Sequence, residues 1–231
     1  MSAVAIVVAA GAGTRMGAGM PKALVPLVGR PMLAWSIDAF ARCAAVEQVV
    51  VVAPPGRVRD VEMAIGASIS GLHVVPGGDS RAASVRAGLA EVGPEVERVL
   101  VHDAARPLVT PALAEAVLAE IDGHDGAIAA APIADTLKRA GEDLAVAATV
   151  DRAGLWAAQT PQGFLAESLR AAIAEALAGG RLDDATDCAS LVEEAGGIVR
   201  LVPNGAPNPK VTIPTDLALA AWLLEGRAAA C

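Results

Sequence analysis

Two cationic side chains near the amino terminus, Arg15 and Lys22, have the type and spacing for chemistry on a phosphate group. They accompany a glycine-containing loop that comes directly after an apolar, β-branched run. Glycines in such a loop let backbone N–H groups approach phosphate oxygens unobstructed. Fixed positive charge beside these donors would stabilise the negative charge that develops during phosphoryl-group transfer. We therefore interpret the loop as a nucleoside-triphosphate site, with Arg15 and Lys22 as catalytic candidates. The loop residues predicted to cradle the nucleotide are Ala9, Ala10, Gly11, Ala12 and Gly13.

Two common glycine-loop motifs do not fit this segment. A dinucleotide fingerprint needs glycine where the chain has Met16, and an acidic residue after the second strand, where residues 53–55 read Ala-Pro-Pro. A P-loop needs Gly-Lys-Ser/Thr, whereas Lys22 lies between a proline and an alanine. No Ser or Cys lies in a nucleophile-elbow context, which favours direct in-line displacement. A glycine-rich turn without a ligand remains the open alternative.

Two further strand-to-helix junctions carry polar residues that suit a nucleotide. Residues 77–84 precede a predicted helix, so their N–H groups and hydroxyls could bind a base or a phosphate, or simply cap the helix. Asp103 ends the fourth predicted strand, and its carboxylate could bind a ribose hydroxyl or hydrated Mg²⁺. A surface ion pair between Asp103 and Arg106 is the alternative. The nucleotide contacts predicted at these junctions are Gly78, Asp79, Ser84, Asp103 and Ala104.

Apolar runs that alternate with helical segments would position these loops. Several of the runs are apolar on both faces, as in a parallel sheet covered by helices. The predicted strands are residues 4–9, 48–53, 72–75, 98–102, 127–131 and 198–202. Helix starts are predicted at Pro31, Ser80, Thr110, Thr186 and Thr215, the last helix running to Leu223. This alternation predicts an α/β fold, a three-layer αβα sandwich with a Rossmann-like, mostly parallel sheet.

Residues 132–158 break the alternation. Two short strands around a Gly/Asp turn predict a β-arm that projects from the sheet, and an ordinary surface hairpin is an equal alternative. We expect one domain over residues 1–231, from which this arm extends.

Composition limits the class of partner. The formal net charge of −8 argues against nucleic acids and anionic membranes, and five aromatic residues offer few stacking platforms for bases. No window approaches the ~18 apolar residues of a membrane span, and the first ten residues lack the basic start of a signal peptide. Cys43, Cys188 and Cys231 match neither a disulfide framework nor a zinc-ligand spacing, so we expect a cytoplasmic protein without a zinc site.

Motifs spread over the whole chain resemble the 2-C-methyl-D-erythritol 4-phosphate cytidylyltransferase family of the non-mevalonate isoprenoid pathway. In order they are AAGAGTRM (9–16), PK (21–22), VHDAARP (101–107), DT (135–136), TVDR (149–152), QTPQ (159–162) and KVT (210–212). The first motif alone indicates only the broad sugar-nucleotidyltransferase superfamily, whereas the combination is specific. The resemblance implies a fold of the nucleotide-diphospho-sugar transferase type and a reaction of CTP with methylerythritol phosphate.

The resemblance also implies roles at matching positions. Arg15 and Lys22 would stabilise the pentavalent α-phosphate and the departing pyrophosphate, and Arg152 and Lys210 are further catalytic candidates. The residues implied to bind the polyol phosphate are Asp103, Arg106, Thr136, Arg152, Thr160, Thr186 and Lys210. Because the family's arm crosses to a second subunit, a homodimer is implied in which Arg152 serves the partner's site. Mg²⁺ is implied as cofactor, held mainly by the CTP phosphates, with Asp103 as a possible protein ligand.

Three other functions remain as alternatives to that reaction. A ribitol-5-phosphate cytidylyltransferase would share the fold and the loop. A nucleotide-binding regulator without catalysis would bind CTP but release no pyrophosphate, and an NAD-dependent enzyme is the least favoured.

Overall fold

The computed structural model describes residues 2–11, 19–66 and 71–229. Within these residues the chain forms strands and helices in alternation. The strands are β1 (Ala3–Val8), β2 (Pro26–Leu27), β3 (Arg30–Pro31), β4 (Val46–Ala53), β5 (Leu72–Pro76), β6 (Arg98–Asp103), β7 (Gly126–Pro132), β8 (Leu137–Ala140), β9 (Val146–Val150), β10 (Trp156–Leu165) and β11 (Val199–Pro203). The helices are α1 (Met32–Ala41), α2 (Val58–Ile65), α3 (Arg81–Ala90), α4 (Pro111–Ala119), α5 (Ala166–Ala178), α6 (Cys188–Glu194) and α7 (Pro214–Ala229). Among these described elements, no helix is both long and apolar enough to span a membrane.

A seven-stranded sheet in the order β11-β7-β10-β6-β1-β4-β5 forms the centre of the fold. All neighbouring pairs are parallel except those of β10, which runs antiparallel to both β6 and β7. The carboxyl ends of β1, β4, β5 and β6 therefore meet at one edge of the sheet, where open α/β sheets bind their ligands.

Helices cover both faces of the sheet because successive strand residues point to opposite sides. Ala5 and Val7 of β1 pack into a core with α1, α2 and α4. Val4 and Ile6 belong to a second core with α3, α5 and α6. The α/β three-layer prediction and its mostly parallel sheet are thus confirmed.

The six predicted strands and the predicted helix starts correspond to elements of the fold, and caps explain most of the starts. Ser80 Oγ accepts from the N–H of Ala83 at 3.1 Å, and Asp187 forms a capping box at the start of α6. The predicted carboxyl-terminal end of α7 was wrong, since that helix continues past Leu223 to Ala229.

Five of the strands and helices in the described part of the chain were not predicted: the two-residue strands β2 and β3, the helices α2 and α5, and strand β10. Helices α2 and α5 begin without a side-chain cap, and neither begins directly after a proline, the signal that marked α1. Strand β10 contains Pro161, which has no N–H for a ladder bond, and polar residues on both sides of it. The pairing of β10 with β7 is irregular between Ala158 and Gln162, so this proline lies in a bulge of an internal strand.

Strands β8 and β9 form a separate two-stranded antiparallel hairpin within residues 132–158. Most of its side chains are exposed, including the apolar Leu144 (85%) and Val146 (64%). At its base, Trp156 of β10 pairs with Pro132 of β7, so the hairpin extends from two strands of the central sheet. The predicted hairpin is confirmed, and its role in dimerisation stays a prediction.

Candidate active site

A cavity of about 560 Å³ opens at the carboxyl edge of the sheet. It lies between the loop after β1, the junction of β5 and α3, the end of β6 and the segment before α7. Most of the nucleotide-site residues predicted from the sequence line it together. They are Ala9, Ala10, Gly11, Lys22, Gly78, Asp79, Ser84, Asp103, Ala104 and Lys210.

The other predicted site residues lie elsewhere or outside the described part of the chain. Ala12, Gly13 and Arg15 are outside the described residues, so their predicted roles stay predictions. Thr136 and Arg152 are exposed on the arm, where the Arg152 guanidinium donates to the carbonyl of Ala134. Thr186 is exposed in the loop before α6. The described lining of the cavity includes none of these three.

Asp103 is the charged centre of the cavity. Lys210 Nζ donates to Oδ2 at 2.6 Å and Arg81 Nε donates to Oδ1 at 3.1 Å. Burial opposes ionisation, but the charge of Arg81, followed by that of Lys210, lowers the pKa of the Asp103 carboxyl well below its ordinary value. The group is therefore an anion at neutral pH, and it holds two cations at the cavity wall.

Arg81 is the residue that sequence reasoning missed. It is the first residue of α3, and its NH1 also contacts Cys188 Sγ at 3.5 Å. The signal was present, because Arg81 follows the Ser80 cap in the junction that we assigned to the nucleotide. The sequence did not predict its contact with Asp103 of β6, because the two residues are 22 positions apart.

Lys22 reaches the cavity from a short 3-10 turn, Lys22–Leu24, after Pro21. Its ammonium donates to the carbonyl of Val211 at 3.0 Å, and the N–H of Val211 donates to Ala105 at 2.8 Å. Because Val211 follows Lys210 directly, the Lys22 ammonium lies against the segment that carries Lys210, although 188 positions separate the two lysines in the sequence. Two ammonium groups at one wall are suited to binding the oxygens of a phosphate chain.

The junction after β5 fits closely against the loop after β1. A Cβ placed on Gly77 would lie 2.6 Å from Ala10 Cβ and 2.8 Å from Ser84 Oγ, so only glycine allows this approach. Ser84 donates to the carbonyl of Ser80 at 2.8 Å and accepts from the N–H of Gly78 at 3.2 Å. The buried Ser84 hydroxyl thus fixes the shape of the cradle.

Arg106 and Thr160 lie behind the cavity wall. Arg106 NH1 donates to the carbonyl of Asn208 at 2.7 Å, so Arg106 forms no surface pair with Asp103. Thr160 is 4% exposed, and its hydroxyl lies between the N–H of Asp103 and the ring of His102. The resemblance implied contact of both residues with substrate, whereas here NH1 and NH2 of Arg106 and the Thr160 hydroxyl have partners within the chain.

A resident metal ion needs several ligand side chains that converge on one point. Among residues 2–11, 19–66 and 71–229 there is no group of three or more His, Cys, Asp or Glu side chains placed to hold an ion. Both carboxylate oxygens of Asp103 are engaged by cations, so this group is poorly placed as a Mg²⁺ ligand. The described residues do not form a metal cage.

Comparison with known proteins gives a consistent family assignment. The family model described as 2-C-methyl-D-erythritol 4-phosphate cytidylyltransferase matches residues 3–226. A curated protein of that name from Frankia casuarinae is 46% identical, with 95% of this chain and 80% of the relative aligned. Another from Saccharopolyspora erythraea is 44% identical, over 97% of this chain and 100% of the relative.

Solved structures agree with the sequence relatives. The crystal structure of 2-C-methyl-D-erythritol 4-phosphate cytidylyltransferase from Thermus thermophilus superposes with a TM-score of 0.80 at 35% identity, covering 97% of this chain and 100% of that one. A crystal structure titled 4-diphosphocytidyl-2C-methyl-D-erythritol synthase from Anaerococcus prevotii gives a TM-score of 0.84 at 26% identity, covering 97% and 96%.

Proposed function

The chain belongs to the 2-C-methyl-D-erythritol 4-phosphate cytidylyltransferase family, and on that premise we propose that it transfers the cytidylyl group of CTP to 2-C-methyl-D-erythritol 4-phosphate. The products are 4-diphosphocytidyl-2-C-methyl-D-erythritol and pyrophosphate. The observation that carries the proposal is the meeting of Lys22, Lys210 and Arg81 at one cavity beside the glycine loop.

In the proposed reaction, a phosphate oxygen of the polyol phosphate attacks the α-phosphorus of CTP. The bond from that phosphorus to the bridging oxygen breaks, and pyrophosphate leaves in line with the attack. Lys22 and Lys210 supply charge at the position where the equatorial and leaving oxygens become more negative, and the backbone N–H groups of Ala10 and Gly11, which line the same cavity, are proposed as further donors. Arg15 is proposed to add a third cation to this set.

Mg²⁺ is proposed to enter as part of the MgCTP substrate, because the described side chains offer no cage for it. Bound to the triphosphate, it would neutralise part of the charge of the leaving group. The interactions that the chain itself supplies are those of Lys22, Lys210 and the loop donors.

The whole chain is proposed to act as one cytidylyltransferase domain and as a homodimer through the arm at residues 132–158. The family model spans residues 3–226 without interruption, which supports a single unit. The exposed Leu144 and Val146 give the arm apolar surface that a second copy could cover. A cytoplasmic location stays a prediction that the two buried free thiols, Cys43 and Cys188, support.

The acceptor is tested by offering CTP with either methylerythritol phosphate or ribitol 5-phosphate and measuring pyrophosphate. We expect release with methylerythritol phosphate, and a kcat/KM at least about 100-fold lower with ribitol 5-phosphate, because a misplaced phosphate loses the in-line geometry. Preference for ribitol 5-phosphate would assign the chain to that alternative. Tight CTP binding without pyrophosphate release from either acceptor would indicate a regulator.

Mixing subunits tests whether the Arg152 that serves each site comes from the same chain or from the partner. Arg152→Ala and Lys22→Ala homodimers should each have low activity. If Arg152 serves the partner's site, co-expressing the two variants should restore about a quarter of wild-type activity, since half of the dimers are mixed and each mixed dimer has one intact site. Differently tagged chains purified over both tags isolate the mixed dimer. Activity that stays at the level of the single variants would place Arg152 in the site of its own chain.

A further inference from the structure

His102 is an internal residue of β6 with no catalytic assignment so far. It is 0% exposed, and Phe40 packs edge-on against its ring with centroids 5.1 Å apart. Nε2 lies 3.1 Å from the carbonyl oxygen of Arg106. Because a carbonyl only accepts, Nε2 must carry the proton of the ring.

This tautomer fixes the direction of the next two hydrogen bonds. With Nε2 protonated, Nδ1 of His102 is an acceptor, so the Thr160 hydroxyl donates to it at 3.0 Å. The same hydroxyl then accepts from the backbone N–H of Asp103 at 3.1 Å. Burial lowers the pKa of His102 to about 4, so the ring stays neutral and keeps its acceptor at physiological pH.

The chain of hydrogen bonds holds both ends of the turn that carries Asp103. Thr160 fixes the N–H of Asp103, His102 fixes the carbonyl of Arg106, and the N–H of Arg106 donates to the Asp103 carbonyl at 2.9 Å. With its backbone held in this way, Asp103 directs its carboxylate towards Arg81 and Lys210.

Thr160 also fixes the segment that carries Lys210. Its carbonyl accepts from Asn208 Nδ2 at 2.9 Å, two residues before Lys210. One residue of β10 therefore contacts Asp103 through its hydroxyl and, through its carbonyl, the Asn208 side chain in the segment that carries Lys210, the other partner of the 2.6 Å ion pair. The bulge at Pro161 places Thr160 between β6 and that segment.

We propose that His102 and Thr160 are positioning residues, which set the Asp103 carboxylate and the Lys210 ammonium in one geometry without contacting substrate. The proposal rests on the proposed cytidylyltransferase activity and gives Thr160 a different role from the substrate contact that the resemblance implied. A buried hydroxyl with two partners is a stiff support for a side chain that must hold its charge in place.

Thr160→Val keeps the shape of the side chain and removes the hydroxyl. It leaves the Asp103 N–H and the His102 Nδ1 without partners, so we expect kcat to fall roughly 10-fold while KM for CTP changes less than about threefold. Thr160→Ser restores the hydroxyl and should recover at least about half of wild-type kcat.

A double-mutant cycle separates positioning from direct substrate contact. In an Asp103→Asn background, Thr160→Val should cost less than about threefold in kcat, because the group that it positions is already lost. The same cycle measured as unfolding free energy in urea tests the coupling without any activity. His102→Asn, which keeps an acceptor near the position of Nδ1, should retain more activity than His102→Leu.

Four results would overturn the proposal. An undiminished loss in the Asp103→Asn background would mean direct contact of Thr160 with substrate. Wild-type kinetics with only a lowered melting temperature, or equal effects of Val and Ser at position 160, would mean a purely structural role. If the effects of Thr160→Val and Asp103→Asn on the unfolding free energy were additive, the role would likewise be purely structural, and this result does not depend on whether the protein releases pyrophosphate. A wild-type protein that released no pyrophosphate would contradict the proposed function and not the positioning role.

Discussion

Lys22→Ala is expected to lower kcat for pyrophosphate release by about 10²–10³-fold, the cost of removing one positioned charge from a phosphoryl-transfer site. The ammonium lies at the cavity wall and is held by the carbonyl of Val211, so its position is fixed before substrate arrives. Because the charge acts mainly as the transition state develops, kcat should fall more than the affinity for CTP.

Steady-state pyrophosphate release, with CTP affinity measured separately by calorimetry, checks this expectation. Arg42→Ala is a suitable control, since Arg42 is an exposed cation at the end of α1 whose Nε donates to the carbonyl of Asp38, away from the cavity. Lys22→Arg keeps the charge with a different shape and should fall between wild type and Lys22→Ala. Normal turnover of Lys22→Ala would contradict both the role of Lys22 and the interpretation of the loop.

The sequence predicted those parts of the fold that leave a local signal. Largely apolar runs predicted six strands of the central sheet, and Ser80 and Thr110 predicted helix starts that the structure confirms as caps. Strand β10 had no such signal, because Pro161 and its polar neighbours have the pattern of a loop. Only the pairing of β10 with β6 and β7 makes this segment a strand, and pairing is a long-range property.

The sequence predicted which residues belong to the candidate site better than it predicted which of them contact one another. Glycine spacing and strand ends gave Asp103 and the described part of the cradle, residues 9–11, which line one cavity. The ion pairs of Asp103 with Arg81 and Lys210 join parts of the chain 22 and 107 positions apart. No period or motif encodes such contacts. The roles of Thr136, Arg152 and Thr186 rested on resemblance, and the single chain leaves them away from the described cavity.

Asp103→Asn is expected to lower kcat/KM roughly 100-fold, because it frees Lys210 and Arg81 from the carboxylate that holds them. Asparagine keeps the size of the side chain but removes its charge, so two cations at the wall lose their common counter-charge. The same change should lower the free energy of unfolding by about 1–3 kcal/mol at neutral pH, the range of hydrogen bonds to charged groups. Exposure of Lys210, 43% at its side chain, keeps the loss below that of a fully buried pair.

The stability effect of Asp103→Asn should depend on pH with a definite sign. The folded-state pKa of Asp103 is lowered by Arg81 and Lys210 against the effect of burial, whereas in the unfolded chain it returns to about 3.9. A lowered folded pKa contributes stability that is fully present above the unfolded pKa and is lost as pH falls towards the folded one. The difference between wild type and Asp103→Asn should therefore be constant from about pH 8 to pH 5 and shrink below about pH 4.

Urea unfolding of both proteins between about pH 8 and pH 3.5 measures this difference directly. Asp60→Asn is the matched control, because Asp60 forms an exposed pair with Arg57 and should contribute less than about 1 kcal/mol at any pH. A difference that persisted unchanged in acid would mean that the Asp103 side chain stabilises the fold through shape rather than charge. Its proposed function of holding Lys210 at the cavity wall would then lack its electrostatic basis, since the ion pair is what keeps the ammonium in place before substrate binds.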